Sequence, residues 1–232
     1  MFTKNKYKKY RKELDKYFKK PGQEFEVSEF EGFRLNVSKH ETREGCWNYS
    51  RGLVTRISDG SIVADIKRNY STFWHTWINH PNGKKYMLCG EDYQGYSIVN
   101  LTDGTYKAHF PEEGYKGHGF CWVGATPSPS GKVLAVEGCI WACPYEIFIF
   151  DFLDPDTLPY KLVGYLDAPA GMKQWHDEDN IDVIKEIDFR KSDGKTYEEI
   201  TVDEMDAAID NDNFDTREEI VVTPWRNTLQ NE

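Results

Sequence analysis

Two short cysteine–histidine pairs, His118-x2-Cys121 and Cys139-x3-Cys143, are the most pointed chemical feature of the sequence. Zinc takes four soft or borderline ligands in a tetrahedron, and two such pairs on neighbouring turns can supply them. Cys121 and Cys139 also border apolar, strand-like runs, where cysteine serves as a small buried hydrophobe. The reading that follows is no cofactor, with zinc as the alternative. Histidine titrates near neutral pH, so His75, His118 or His176 beside Asp92 or Glu91 would suit a general acid–base pair. No spacing fixes a nucleophile. The G-x-S-x-G elbow, the G-x-x-x-x-G-K-[ST] phosphate loop and the H-E-x-x-H helix do not occur. The acidic residues of "DNDNFDTREE" (210–219) alternate as in a calcium loop. Phe214 and Asp215 stand where an oxygen ligand and glycine are required, so the stretch reads as solvated surface.

The elements that must position these residues change character along the chain. "KNKYKKYRKELDKYFKK" (4–20) places Tyr7, Tyr10, Leu14, Tyr17 and Phe18 at helical spacing among lysines and stops at Pro21-Gly22. This predicts a basic amphipathic helix within 1–22 that docks on its own chain or on a sister subunit through Tyr10, Leu14 and Tyr17. From 23 to 175 the texture is short β-rich runs broken by Asp-Gly, Asn-Gly and Ser-Gly turns. The remainder, 176–232, reads as an acidic α+β segment packed on that core. Within it Thr201 and Glu204 have capping-box spacing for a short helix, and "EIVVTPW" (219–225) reads as a strand.

"WHTWINHPNGKKYMLCG" (74–90) has an echo in "WVGATPSPSGKVLAVEG" (122–138). At a shift of 48 residues, Trp74, Pro81, Gly83, Lys84 and Gly90 align with Trp122, Pro129, Gly131, Lys132 and Gly138. Runs ending in Asp-Gly or Asp-Pro recur at 54–60, 98–104 and 149–155. The order of strand, P-x-G turn, strand, loop, strand, D-G turn and strand resembles a four-stranded blade of the WD40/YVTN type of β-propeller. The resemblance covers about 50–167 and lacks the Gly-His…Trp-Asp signature. It implies a mainly β fold of antiparallel four-stranded blades, a small or partial propeller, with helices only near 4–20 and 201–210. A degenerate further blade is expected from Trp175 to about 226.

On such a fold the loops of one face bring together Arg68, Tyr70, Asp92, Tyr93, Lys116, His118, Trp141, Tyr145, Trp175 and His176. Aromatic and charged groups on rigid loops are the material of recognition sites. The net charge of −10 disfavours nucleic-acid binding. It is unevenly spread: residues 1–20 carry +7 and 176–232 carry −12, ends that attract each other within a chain or between copies in a homo-oligomer. No apolar signal region and no membrane-length apolar run is present. Five cysteines then fit a reducing cytoplasm. The leading expectation is a non-catalytic binding protein recognising a protein segment or a small polar ligand. A histidine–carboxylate or metal-dependent enzyme on the same face is the second reading, and an assembly protein the third.

Overall fold

Glu31 and Gly32 adopt positive φ (43° and 91°) between the paired residues Phe30 and Phe33, the two-residue turn whose twist suits a hairpin. The computed structural model describes residues 8–9, 12, 14–18, 21–41, 48–91, 94–112, 114, 119–140, 144–167 and 170–226. Turns of this kind fold the chain into four antiparallel meanders, one after another. The first sheet is β1 (Gln23–Phe30), β2 (Phe33–Glu41), β3 (Asn48–Arg56) and β4 (Ile62–Arg68). The second is β5 (His75–Asn79), β6 (Lys85–Gly90), β7 (Tyr96–Asn100) and β8 (Thr105–His109). The third is β9 (Phe120–Pro127), β10 (Val133–Ile140), β11 (Glu146–Asp151) and β12 (Leu162–Asp167). The fourth has three strands, β13 (Met172–Trp175), β14 (Asn180–Arg190) and β15 (Phe214–Pro224).

The opening strands of the sheets lie side by side. Trp77 Nε1 donates to Ser28 Oγ at 2.8 Å, joining β5 to β1. Thr76 Oγ1 donates to the Ala125 carbonyl at 2.7 Å, joining β5 to β9, and Trp175 Nε1 donates to the Thr126 carbonyl at 3.0 Å, joining β13 to β9. The sheets therefore radiate from a row of first strands, as propeller blades do. This is a mainly β fold with a partial, blade-like repeat.

Alternation along each strand fills the spaces between blades. Met87, Cys89, Val99 and Leu101 face the first sheet, where they meet Leu35, Val37, Val54 and Ile66. Tyr86, Leu88, Tyr96 and Ile98, one residue out of phase, face the third sheet. On the third sheet Leu134 and Val136 face the second, while Ala135, Ile147 and Ile149 face Ile181, Val183 and Trp225 of the fourth segment. The inner strands β6 and β7 are thus buried on both faces, which explains the apolar run Tyr86–Cys89.

The sequence repeat is a structural one. Gly83 (φ 83°) and Gly131 (φ 68°) each close a turn, donating to the His80 and Ser128 carbonyls at 3.0 and 2.8 Å. Pro81 and Pro129 precede them at the position that fixes φ. The second hairpin departs from the first by one residue: Asn79 pairs with Lys85, but Pro127 pairs with Leu134. A bulge at Val123 absorbs the difference, so Trp122 still lies opposite Gly138.

The ends of the chain pack as extensions of the outer sheets. Of the expected 4–20 helix, residues 8–9 and 12 are helical and Leu14–Phe18 form a 3₁₀ turn. Tyr17 stacks on Tyr49 at 4.4 Å, Phe18 meets His40 edge-on, and Asp15 accepts from Lys67 at 2.6 Å. Docking on the chain's own first sheet follows; Tyr10 lies outside the described residues. Helix α1 (Val202–Asp210) has the capping box that Thr201 and Glu204 announce, with Glu204 N donating to Thr201 Oγ1 at 3.3 Å. The strand after it begins at Phe214 rather than 219. Of the acids past that point, Asp215 and Glu219 share one face of the strand and Glu218 lies on the other. Likewise β13 belongs to the fourth sheet, so 172–175 pair with the acidic segment. Among the described residues no helix is long and apolar enough to cross a membrane.

Candidate functional site

Where the second and third sheets meet, their aromatic residues form two stacks with a gap between them. Tyr96 on β7 stacks on Trp122 of β9 at 4.1 Å and on Tyr160 at 5.1 Å. Trp122 stacks in turn on Phe150 of β11 at 5.1 Å. Phe120 and Phe148 form the second stack, 4.1 Å apart and within 2° of parallel. Strand register explains the grouping. Phe148 and Phe150 pair with Val136 and Leu134, whose side chains face the second sheet. Phe120 and Trp122 sit two residues apart on β9 and share that face. The result is a cleft of about 450 Å³, with Gln94 and Gly119 buried in its lining and Ile140 and Pro159 exposed.

The cleft has few polar groups. The Tyr96 hydroxyl accepts from the Tyr160 backbone N–H at 2.9 Å, and the Tyr160 hydroxyl donates to the Pro155 carbonyl at 3.0 Å. Burial pushes both phenols above their ordinary range, so neither ionises near neutral pH. The His109 ring tilts against Tyr96 at 5.4 Å. Gln94, only 6% exposed, lines the cleft with Oε1 buried and without a hydrogen-bond partner. Two glycines make room for this amide: a Cβ at Gly114 or Gly119 would come within 2.6 or 2.5 Å of Oε1. An unpaired buried acceptor costs about 1–3 kcal/mol. Among the described residues no Lys, Arg, Asp or Glu lines the cleft.

The residues singled out from sequence fall in several places. Arg68 is buried, its guanidinium over the Tyr70 ring at 5.4 Å and Nη1 donating to the Thr72 carbonyl. Gly90 allows this, since a Cβ there would lie 2.5 Å from the guanidinium. Glu91 is buried nearby and accepts from Ser97 Oγ at 2.5 Å and from the Tyr106 hydroxyl. Tyr145 is 42% exposed; partial burial raises its phenol, and Cys139, Tyr70, Cys121 and Glu137 act in the same direction as neighbours. Cys121 and Cys139 face each other across β9 and β10. Asp92, Tyr93, Lys116, His118, Trp141 and Cys143 lie outside the described residues, and with them half of the zinc set. Among the described residues no cluster of three or more His, Cys, Asp or Glu forms a metal site.

The histidines have separate surroundings. Burial lowers the His75 pKa; Glu26, 3.9 Å away, opposes the shift without cancelling it. His176 Nδ1 lies 3.0 Å from Asp182 Oδ1, and Gln174 Nε2 donates to the other Asp182 oxygen at 2.8 Å. Trp175 is fixed by its bond to Thr126 and meets Trp225 edge-on at 6.4 Å. Arg68, Tyr70 and Tyr145 with Cys121 and Cys139 are therefore neighbours, whereas His176 pairs with Asp182 in a group of its own.

Sequence reasoning missed Gln94, Tyr96, His109, Phe120, Phe148, Phe150 and Tyr160, and read Trp122 only as a position of the repeat. The available signal was the spacing of "FCW" (120–122) and "FIF" (148–150), aromatics two apart on strands of one sheet. That spacing puts them on one face.

The sequence matches no established family profile. It is similar to a viral protein, "Uncharacterized protein R762" of Acanthamoeba polyphaga mimivirus. The two are 31% identical over 206 residues, spanning 84% of this chain and 80% of the viral one. Similarity of that extent is far longer than a single repeat, and the chain belongs to the same family as R762.

Proposed function

We propose that this chain is a non-catalytic binding protein that holds a small, flat ligand in the cleft between its second and third sheets. The sheets are read as blades of the WD40/YVTN type, a scaffold that presents a site rather than a chemistry. One observation carries the proposal: stacked aromatic walls enclose a gap of about 450 Å³. That size and that lining suit a small molecule. Gln94, Pro111 and Gly119 in its lining come from the loops on which a recognition site is expected. A protein segment inserting one side chain is the competing occupant. The net charge of −10 argues against nucleic acid, and a reducing, cytoplasmic setting suits the free thiols of Cys89, Cys121 and Cys139.

Saturation-transfer NMR with a panel of one- and two-ring aromatic probes tests the proposal. Ile140, exposed at the cleft's rim, offers a blocking variant. Probes should bind the wild type, and Ile140→Trp should abolish the signal while the melting temperature changes by about 2 °C or less. Probe binding that survives Ile140→Trp would overturn the assignment to this cleft.

A further inference from the structure

We infer that two copies of this chain close into one ring, the outward face of each fourth sheet docking on the outward face of the other copy's first sheet. Leu35, Val37, Val54 and Ile66 of the first sheet face the second. The alternate positions, Val27 and Asn36 among them, therefore face away from the row of blades. In the fourth sheet Ile181, Val183 and Trp225 face the third, so Ile184, Glu186, Glu218, Ile220 and Val222 face away. Both end faces leave apolar side chains in water: Ile220 is 52% and Val222 48% exposed, and Val27 and Ile62 are exposed on the first sheet. Glu186 also lies directly opposite Glu218, both exposed, and like charges so placed destabilise a sheet. A cationic partner on this face would relieve that repulsion.

The first sheet of a second copy carries the matching charge. Residues 1–20 hold +7 against −12 in 176–232. The basic segment is fixed on the outward face of the first sheet, where Tyr17 stacks on Tyr49, Phe18 meets His40 and Asp15 accepts from Lys67. Arg51 pairs with Asp65 and Arg34 with Glu29, so the surplus lies in the segment, where Lys8, Lys9 and Lys12 are exposed. Fourth sheet against fourth sheet would set acid against acid, whereas fourth against first joins acid to base and aliphatic to aliphatic. Two copies bring four sheets each, a total at the upper end of the four to eight blades typical of propellers. The two contacts are then identical and the assembly is closed.

Sedimentation velocity of the full chain tests this at about 0.05 M and about 0.5 M salt. The wild type should sediment at twice its 27.0 kDa mass in low salt, with a dissociation constant about ten-fold weaker or more in high salt. One variant, Glu186→Lys with Glu218→Lys, makes the fourth sheet basic. A second, Lys8→Glu with Lys9→Glu and Lys12→Glu, removes most of the surplus on the first. Neither should dimerise alone, and an equimolar mixture should, because it restores an acid-to-base contact. Glu186→Gln with Glu218→Gln serves if the lysine pair does not fold, and should weaken the wild-type dimer. A wild-type monomer in low salt, a dimer indifferent to both variants, or a mixture that stays monomeric would overturn the inference. Species larger than two copies would overturn closure as a pair.

Discussion

Trp122 of the third sheet stacks on Tyr96 of the second, with ring centroids 4.1 Å apart and planes 21° from parallel. The pair closes the inner wall of the cleft and joins two blades at once. In the proposed site Trp122 would serve packing and recognition together, whereas Phe148, half-buried in the opposite stack, would serve mainly recognition.

Trp122→Ala and Phe148→Ala should therefore separate. Trp122 is 5% exposed, and its removal should cost about 3–5 kcal/mol of stability, the range for a buried large aromatic. Phe148→Ala should cost about half that or less, since less apolar area leaves water, while weakening aromatic-probe binding. Urea unfolding beside NMR titration checks both. Equal stability losses would show Phe148 to be core.

The His75 imidazole should titrate below 6.5. Burial disfavours its charged form, and the distant Glu26 carboxylate compensates only in part. The unfolded chain binds the proton first as pH falls. The His75 contribution is therefore intact above pH 6.5 and is lost as pH drops from there through the lower folded-state value. A histidine-selective NMR titration gives the midpoint; a value at or above 6.5 contradicts the prediction.

Glu178 ties the fourth sheet to the third. Its carboxylate accepts from Ser128 Oγ at 2.9 Å, Ser130 Oγ at 2.6 Å and Ser130 N at 3.0 Å. Burial alone would raise its pKa, but these bonds from Ser130 and Ser128 outweigh it and hold it below 4.5. The stabilisation is present above the unfolded-state value near 4.5 and is lost as pH falls through the lower folded value. Ser130→Ala should flatten the acid limb of the stability–pH curve relative to wild type, measured by urea midpoints between pH 6 and 3. Parallel curves would show that the contact contributes nothing to linkage.

Much of the fold was legible because local chemistry and packing agree. Pro81-x-Gly83 and Pro129-x-Gly131 made turns where they stood, and Thr201 with Glu204 capped the one α-helix described. The one-residue offset of the second hairpin was not legible: a bulge at Val123 depends on how Trp122 must meet Gly138, a tertiary demand. The loop-face reading went astray at Arg68, which folds inward because Gly90 leaves space for its guanidinium. The cleft escaped notice for a related reason. Gln94, Tyr96, Phe120 and Phe148 come from two sheets, and each reads alone as an ordinary loop or core residue. Only the register of β10 with β11, and the facing of Tyr96 toward Trp122, put them round one gap.

The central claim, that the gap between the second and third sheets is a ligand site, is tested most directly by a crystal structure of the protein grown with indole. The expected position of the ring is against the Phe120–Phe148 stack, beside Tyr96 and Trp122. Indole bound elsewhere, such as beside Tyr70 and Tyr145, or an empty cleft at saturating ligand, would contradict it.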